Sequence, residues 1–306
     1  MLSDIGAIIV TFNRLEKLKK ALDSYETQSL LPKYIIVVDN ASKDGTKEYL
    51  ERWKEENREY EKIVVSLSEN KGGAGGFYEG QKVAITKNAN WIILGDDDLY
   101  FDKNYLLEIN NFINDKENKD IYSIVCGTVI ENNKIAFPHR RILKSKWRLP
   151  FTRNVEENEY KKNLVYLDFV SYCGPVLNKK KLIKAGLVRP DYFIHNDDIE
   201  HSYRMRNVGK IVCLPKIFAK HDTEFSRVNL EWKIYYYHRN EIDFIKKHFK
   251  IQLPYLVLIS LVWSLLCLLK RRNFKEFSMK ITAIKDGLLG NMGKHPIYVP
   301  GWKYNK

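Results

Sequence analysis

Several features that mark common protein classes are scarce or missing in this chain. Its four cysteines include no CxxC pair, which argues against a zinc ribbon, and four in 306 residues are too few for a disulfide scaffold. A reduced, cytosolic compartment therefore fits best. No basic stretch precedes the first short apolar run, so we expect no signal peptide. The chain also has no internal repeat and no low-complexity tract.

Two phosphate-binding signatures are missing as well. The sequence contains no GxxxxGK(S/T) segment, which excludes a P-loop kinase or NTPase. It also has no GxGxxG fingerprint after its first predicted strand, which argues against a Rossmann dinucleotide site. The four glycines within residues 72–76 therefore need another explanation.

Acidic residues are outnumbered by basic ones. The chain has 51 Lys and Arg residues against 38 Asp and Glu residues, a formal net charge of +13 and a pI of about 9.3. This excess indicates an anionic partner such as nucleic acid, an anionic membrane surface or a phosphorylated substrate. The alternative is a lysine-rich composition without functional meaning. The hydrophobic fraction of 44% suffices for a packed core and argues against disorder.

Buried strands and amphipathic helices alternate through the first hundred residues. Short β-branched runs predict the strands, and apolar residues at helical spacing predict the helices. This alternation is typical of a parallel, doubly wound α/β sheet. The predicted strands are residues 6–12, 34–42, 62–70 and 91–101, and the predicted helices are residues 14–27, 44–56 and 77–87.

A polar or glycine-rich segment follows each of these four strands. Right-handed crossovers bring the carboxyl ends of parallel strands to one edge of the sheet, where open α/β sheets bind ligands. The convergence of four such segments predicts a ligand site at that edge. The segments are residues 11–14, 39–42, 70–76 and 96–98.

The acidic run "GDDD" ends the fourth predicted strand. In an extended segment, Asp96 and Asp98 point to the same face and Asp97 to the other. Neighbouring carboxylates repel each other unless a cation lies between them. A hard divalent ion that also binds a diphosphate would supply that cation. The alternative is a solvated acidic turn.

A histidine and a second acidic cluster follow in the C-terminal half. His221 ends a strand-like run, and Mn²⁺ accepts an imidazole among oxygen ligands, although a lone histidine is more often a surface or core residue. Asp197, Asp198 and Glu200 precede a predicted helix. They fit either an N-cap stabilised by the helix dipole or a general base, and the residues alone leave both open.

Beyond residue 105 the pattern predicts a mixed α+β region. Residues 137–154 are basic and aromatic and are predicted to form a loop or lid. Residues 253–269 form an uncharged apolar run with basic residues on both sides. As a helix this run would span about 25 Å, slightly less than the roughly 30 Å hydrocarbon core of a bilayer. A helix in the membrane interface is favoured over a membrane span and over a buried core or oligomer helix.

Seven segments follow one another along the chain: "IIVTFNR", "IIVVDNASKDGT", "NKGGAGGF", "GDDDLYF", "VSYCGPVLNKKKLIKAGL", "NDDIEHSYRMRNVG" and "YYYHRN". Taken in this order, they resemble family 2 glycosyltransferases with the GT-A fold. Each segment is weak evidence alone, but the ordered set is specific and covers about residues 4–245. The glycine-rich segment resembles the galactofuranosyltransferase branch in particular, with rhamnosyltransferases next.

The resemblance implies an α/β architecture of the GT-A type, a Rossmann-like mixed sheet with flanking helices. The catalytic domain would cover residues 1–245. Residues 246–306 would form a basic and apolar helical segment that contacts a membrane interface or another subunit.

The donor-binding residues implied by the resemblance come from all four strand ends. Asp39 would accept the imide N–H of uracil or thymine, with Asn40 beside it, and His238 would lie near the diphosphate. The glycines would allow close backbone approach to the donor and a positive φ where the loop turns into the helix at residue 77. The full set is Thr11, Phe12, Arg14, Asp39, Asn40, Asn70, Gly72, Gly73, Gly75, Gly76, Asp96, Asp97 and His238.

The resemblance also implies a metal site and a base. The DXD-type motif would hold Mn²⁺ or Mg²⁺ through its outer acids Asp96 and Asp98, with His221 as the third ligand. In the second cluster "NDD" replaces the family's usual "ED" or "WDD". Asp198 would be the catalytic base and Asp197 its reserve.

The implied reaction is an inverting, metal-dependent sugar transfer to a hydroxyl of a bacterial surface glycan or a polyprenyl-diphosphate-linked acceptor. UDP-galactofuranose is the favoured donor, and dTDP-rhamnose or a UDP-hexopyranose is the alternative. A non-catalytic nucleotide-sugar-binding or RNA-binding protein is the alternative from another class. The enzyme would be peripheral at the cytoplasmic face of the cell membrane, bound to its anionic surface and without a nucleic-acid partner.

Overall fold

The alternation of strands and helices in the first hundred residues produces four parallel strands, as predicted. The computed structural model describes residues 2–118, 120–145, 152–223 and 230–304. Every residue of β1 and β2 is buried, because helices cover both faces of this part of the sheet. The elements are β1 (Ile5–Thr11), α1 (Leu15–Glu26), β2 (Tyr34–Asp39), α2 (Thr46–Glu55), β3 (Glu61–Ser66), α3 (Gly72–Ala84) and β4 (Trp91–Asp96).

The middle of the chain extends this sheet and makes it mixed. The short strand β12 pairs antiparallel with both β4 and β6, and β13 pairs parallel with β6. The main sheet has the order β10-β13-β6-β12-β4-β1-β2-β3. The added elements are β5 (Leu99–Phe101), α4 (Tyr105–Asn114), β6 (Tyr122–Glu131), β7 (Lys134–Ile135), β10 (Val165–Leu167), β12 (Val176–Asn178), α5 (Lys179–Ala185), α6 (Asp197–Arg206) and β13 (Lys210–His221).

Part of the segment that we expected to be a loop or lid forms strands of a second, small sheet. This sheet consists of β8 (Arg140–Leu143), β9 (Thr152–Asn154) and β11 (Phe169–Val170), with β8 in the centre. The loop prediction is therefore wrong for residues 140–143 and 152–154, because these extended residues pair with each other. Residues 146–151 of that segment lie outside the described residues.

The glycine-rich segment is helical, which corrects the prediction of a loop followed by a helix at residue 77. Helix α3 already begins at Gly72, whose φ of +73° places the positive backbone angle at the helix start as expected. A Cβ at Gly76 would lie 2.5 Å from Val10 Cγ1, and one at Gly80 would lie 2.5 Å from Ile8 Cγ2. These two glycines therefore allow α3 to pack closely on β1, and this packing outweighs the low helix propensity of glycine.

A turn interrupts the long strand predicted for residues 91–101. β4 ends at Asp96, Asp97 and Asp98 form a turn, and β5 begins at Leu99. The alternating orientation expected for three acids in one extended strand is therefore wrong. The turn directs Asp97 and Asp98 toward the segment that follows β1.

Three helices complete the described chain: α7 (Glu231–His248), α8 (Leu253–Arg271) and α9 (Phe274–Leu289). α7 packs against α9 through an aromatic cluster that includes Tyr235 and Tyr236. In α8 only Leu256 and Ser264 are buried, so a buried core helix is excluded within the described residues. The stretch Lys250–Arg271, with a mean hydropathy of 2.1, is long and apolar enough to cross a membrane by length and composition.

Candidate functional site

The acids after β4 are held by the loop that follows β1. Thr11 Oγ1 donates to Asp97 Oδ2 at 2.9 Å, and the Phe12 N–H donates to the same oxygen at 3.3 Å. The Arg14 guanidinium donates to Asp97 Oδ1 at 3.2 Å and to Asp98 Oδ2 at 2.7 Å. The parallel pairing of β1 with β4 brings these two strand ends together, so the predicted convergence is confirmed here.

The three acids carry more negative charge than Arg14 alone compensates. Burial, followed by repulsion from Asp98 and Asp97, raises the pKa of Asp96 to about 7. Burial raises the pKa of Asp97 to about 6, against the attraction of Arg14. For Asp98 burial acts in the same direction, but the hydrogen bond and charge of His221 outweigh it and lower the pKa. A bound cation would relieve the remaining repulsion.

His221 lies beside this cluster at the end of β13. Its Nε2 atom is 3.4 Å from Asp98 Oδ1, and its Nδ1 atom is 2.7 Å from Glu131 Oε1. Burial opposes protonation of the ring, but Asp98 and Glu131 outweigh it and raise the pKa of His221 to about 9. Two carboxylates and an imidazole form a set of ligands that suits Mn²⁺. Because most of these ligand atoms are oxygens, the set also suits Mg²⁺. The structure thus brings Asp96, Asp98 and His221 together.

The remaining nucleotide-pocket residues of the sequence prediction fix the loops around the start of α3. Asn40 accepts from the Lys71 N–H and donates to the Gly72 carbonyl, each at 2.9 Å. Asn70 Oδ1 accepts the Gly72 N–H at 2.8 Å. Asp39 Oδ1 accepts the Ser42 N–H at 2.9 Å, so one oxygen of this buried acid shapes the turn after β2. Recognition of a base by Asp39 stays a prediction.

The other glycines differ in their surroundings. A Cβ at Gly72 would lie 2.0 Å from the Phe193 carbonyl oxygen, and the Ala74 N–H donates to that oxygen at 3.2 Å. A Cβ at Gly73 would have nothing within 4 Å, so open space lies there, whereas one at Gly75 would meet the Lys71 side chain. The glycine segment therefore also fixes the loop that precedes the second acidic cluster.

That loop has an unusual backbone. Phe193, His195 and Asn196 all have positive φ, at 64°, 65° and 60°, which non-glycine residues rarely adopt. The buried Asn240 amide donates to the carbonyls of Tyr192, Ile194 and His195 at 3.0, 2.9 and 2.7 Å. Such a conformation persists only where surrounding contacts enforce it.

Arg239 supports the same loop. Its guanidinium donates to the Tyr192 carbonyl at 3.0 Å and to the Gly293 carbonyl at 2.6 Å. Sequence reasoning missed Arg239 and Asn240 as loop supports. The signal that could have found them is the run of three polar residues, His238, Arg239 and Asn240, directly after three tyrosines in "YYYHRN".

Helix α6 begins at the second acidic cluster. Burial raises the pKa of Asp197 far above its usual range, and repulsion from Asp198 and then Asp96 adds to this effect, so the charge of the first cluster reaches the second. Burial raises the pKa of Asp198 to about 6, opposed by the Ile199 N–H at 2.8 Å and by Arg141. Burial thus raises the pKa of both acids above the usual range of an aspartate.

Helix α7 contributes Lys233 rather than His238 to the surroundings of the acids. Burial lowers the pKa of Lys233, Arg14 lowers it further, and Asp96 and Asp98 oppose the shift, so this ammonium lies within reach of their charges. His238 follows five residues later, roughly 140° around the helix. The charges that act on its pKa, which burial lowers to about 4, are Lys280 and Glu276 of α9. None of the acids of the two clusters is among these charges, and the place of His238 near the diphosphate stays a prediction.

Three further residues beside His221 were missed because they are distant in sequence. His139 Nε2 lies 2.9 Å from the Glu131 oxygen that His221 also contacts. The ligand atoms of His139, Cys173 and His221 all lie within 4.8 Å of one another. No motif in the sequence links these positions.

A cavity of about 440 Å³ lies between the start of α6 and α8, and we call it the α6–α8 cavity. Ile199, the neighbour of Asp198, and Ile259 of α8 both line it. Its polar lining includes Glu241, whose pKa burial raises to about 7. A larger, shallow depression of about 780 Å³ is lined by residues 23, 26, 27, 31 and 57–60, and no acid of the two clusters lines it. The remaining lining of the α6–α8 cavity is Arg141, Thr152, Asn196, Tyr237, Phe244, Tyr255 and Leu256.

The family model for glycosyl transferase family 2 matches residues 7–178, which is more than half of the chain. Galactofuranosyltransferase GlfT1 of Mycobacterium tuberculosis is 28% identical over 210 residues, covering 68% of this chain and 66% of the relative. GlfT1 of Mycolicibacterium smegmatis is 31% identical over 206 residues, covering 67% and 66%. The chain thus spans just under two thirds of the length of the curated relatives it matches.

Solved structures show the same fold at low identity. GalNAc-T7 with UDP, GalNAc and Mn²⁺ matches with a TM-score of 0.62 at 14% identity, over 82% of this chain and 50% of that one. Staphylococcus aureus TarS 1–349 with UDP-GlcNAc matches with a TM-score of 0.61 at 14% identity, over 94% and 81%. The predicted GT-A architecture is confirmed.

Proposed function

This chain belongs to glycosyl transferase family 2 and is a glycosyltransferase, and on that premise we propose that it moves galactofuranose from UDP-galactofuranose to an acceptor hydroxyl. The choice of sugar is supported by the similarity to galactofuranosyltransferase GlfT1, at 28–31% identity. A dTDP-rhamnose or UDP-hexopyranose donor on the same fold is the alternative.

The observation that carries the proposal is the meeting of two acidic clusters with different surroundings at one sheet edge. Asp97 and Asp98 contact Arg14, and Asp98 also lies beside His221. The second cluster begins α6, and its Asp197 lies within electrostatic reach of Asp96. One cluster can therefore hold the charged part of a donor, and the other can take a proton from an acceptor.

In the proposed mechanism Asp198 acts as the general base. It accepts the proton of the acceptor hydroxyl while the oxygen bonds to the anomeric carbon and the bond from that carbon to the diphosphate breaks on the opposite face. The nucleoside diphosphate leaves, and the configuration inverts without a covalent enzyme intermediate. Arg14 and Lys233 place positive charge where the diphosphate would lie.

Asp96, Asp98 and His221 would hold a divalent ion in this site. When bound, Mn²⁺ or Mg²⁺ neutralises charge that develops on the departing diphosphate. The crowded carboxylates, two of them with raised pKa values, support this assignment because a cation would relieve their repulsion.

The direct test is a donor screen with the purified protein. Nucleotide release from UDP-galactofuranose, dTDP-rhamnose, UDP-glucose and UDP-GlcNAc is measured with Mn²⁺, with Mg²⁺ and with EDTA. We expect release from UDP-galactofuranose that requires a metal ion. Release that persists in EDTA would contradict the metal site. Faster release from another donor would contradict galactofuranose as the transferred sugar.

The α6–α8 cavity and α8 support an amphiphilic acceptor. The cavity extends from the neighbour of the proposed base to a helix that exposes Leu258, Trp263 and Leu269 at 59%, 64% and 68%. The last turn of this helix carries Lys270 and Arg271, whose positive charges suit anionic headgroups. We therefore propose peripheral membrane association and an acceptor that is a glycan or a polyprenyl-diphosphate-linked sugar.

Vesicle binding tests the membrane proposal. Replacing Trp263→Ser together with Leu266→Ser removes apolar area from the exposed face and should weaken binding to phosphatidylglycerol vesicles about tenfold or more. Ile183→Ser is the matched control, because Ile183 is 57% exposed on α5. Equal binding by the double variant and the wild type would contradict membrane docking through α8.

A further inference from the structure

Two histidines share a single carboxylate oxygen beside the proposed metal site. His221 Nδ1 lies 2.7 Å from Glu131 Oε1, and His139 Nε2 lies 2.9 Å from the same atom. All three side chains are at least partly shielded, with exposed fractions of 17% for His221, 28% for Glu131 and 16% for His139.

The hydrogen-bonding chemistry of the carboxylate fixes the protons of both rings. An ionised Glu131 can only accept, so His221 Nδ1 and His139 Nε2 must each carry a hydrogen. His139 Nδ1 then accepts from the Ser171 hydroxyl, at 2.7 Å. The other nitrogen of His221, Nε2, is left facing Asp98 Oδ1 at 3.4 Å.

The fold holds this arrangement from two sheets. Glu131 ends β6 and His221 ends β13, and these neighbouring parallel strands pair Ile130 with Lys220 directly before them. His139 directly precedes β8 of the small sheet, and its carbonyl accepts the Ser171 N–H at 3.1 Å. The Nδ1 side of the His221 ring is therefore held by a contact that lies outside the acidic clusters.

We propose that Glu131, supported by His139, is a positioning residue that orients His221 so that its Nε2 can ligate the metal ion of the transferase site. Histidines that ligate metals generally donate their second ring N–H to a carboxylate, carbonyl or water, which fixes the tautomer and the ring orientation. The inference rests on the proposed metal-dependent function, and neither Glu131 nor His139 touches the donor in it.

The test is Mn²⁺ binding in the presence of UDP, followed by the EPR signal of free Mn²⁺. We expect Glu131→Ala to weaken Mn²⁺ binding about 10–100-fold, the usual effect of losing such a partner. Glu131→Gln keeps an acceptor oxygen and should recover part of this loss. In transfer assays the Mn²⁺ concentration for half-maximal rate should rise while the rate at saturating Mn²⁺ is largely kept.

A second readout reports the ring itself. In ¹⁵N-labelled protein with Mg²⁺ and UDP, the His221 ring should carry its proton on Nδ1 in the wild type and lose this fixed state in Glu131→Ala. A variant with reduced stability but an intact site would keep the wild-type tautomer. Thermal unfolding of each variant is measured alongside.

Cys173→Ser is the comparison variant, because the Cys173 sulfur belongs to the same cluster of ligand atoms. We expect it to bind Mn²⁺ as the wild type does. A loss equal to that of Glu131→Ala would make His139, Cys173 and His221 a direct ligand set and overturn the positioning role.

The experiments distinguish a wrong positioning role for Glu131 from a wrong proposal of metal-dependent transfer. Metal-dependent transfer by the wild type, combined with unchanged Mn²⁺ affinity and an unchanged His221 tautomer in Glu131→Ala, would overturn the inference and leave the function intact. A wild-type protein that binds no Mn²⁺ in the presence of UDP would overturn both.

Discussion

The two acidic clusters have the same chemistry in sequence but different surroundings in the fold. Asp97 and Asp98 receive hydrogen bonds from Arg14, and the pKa of Asp98 is lowered by His221 despite burial. Burial raises the pKa of both Asp197 and Asp198, and Arg141 is the one cation among the causes of these two shifts. The surroundings therefore fit the first cluster for holding charge and the second for taking a proton.

The largest expected effect comes from removing the proton acceptor. Asp198→Asn keeps the shape of the side chain but cannot take a proton, so the transfer rate should fall about 10²–10⁴-fold, the usual contribution of a general base. Steady-state rates with saturating donor and Mn²⁺ check this. Asp197→Asn is the matched control, and we expect a much smaller loss because Asp198, not Asp197, is the proposed proton acceptor. The opposite ranking would exchange their roles.

Asp98→Asn tests the role of the first cluster in binding the metal ion. It removes a carboxylate that contacts both Arg14 and His221 and is a proposed metal ligand. Loss of a residue that only supports a metal ligand typically costs about 10–100-fold, so loss of a ligand itself should lower kcat/KM at least about 100-fold. Titrating Mn²⁺ should recover part of the rate. Asp102→Asn is the control, because Asp102 follows β5 at an exposed position. A variant at Asp98 with wild-type metal dependence would remove this residue from the metal site.

The pH profile should report the second cluster. The proposed base must be ionised, and burial raises the pKa of Asp198 to about 6, so kcat/KM should fall about tenfold per pH unit below that value and be flat above it. The profile is measured at saturating Mn²⁺. A rate that is unchanged from about pH 7 to pH 5 would contradict Asp198 as the base.

The smallest effect should come from the support of the loop before α6. Asn240→Ala removes the donor for three carbonyls and should lower the free energy of unfolding by about 1–3 kcal/mol, the cost of unsatisfied buried groups. Asn114→Ala, at an exposed position on α4, should change it by less than about 0.5 kcal/mol. Urea unfolding of both variants tests this. Equal stability would show that other contacts hold the positive-φ loop.

The sequence predicts the parts of the site that depend on strand periodicity. The β-branched runs predict β1 to β4, and the rule for parallel strand ends predicts that Thr11 and Asp97 meet. The contacts of Asp97 and Asp98 depend instead on the turn after Asp96, which alternation along one strand cannot show.

Other parts depend on contacts between distant segments. Residues 70–76 are predicted to form a loop because glycine disfavours helices, yet Gly76 lies in α3, where the close approach to β1 leaves no room for a Cβ. Glu131 acts through His221, a partner far away in the chain, so it carries no local signal.

The assignment of donor binding to the first cluster and proton transfer to the second is tested most directly by measuring UDP binding. Mn²⁺-dependent UDP binding is measured by calorimetry for the wild type, Asp98→Asn and Asp198→Asn. We expect Asp98→Asn to weaken UDP binding strongly and Asp198→Asn to leave it unchanged. Equal weakening in both variants, or wild-type binding in both, would contradict the assignment of donor binding to one cluster and proton transfer to the other.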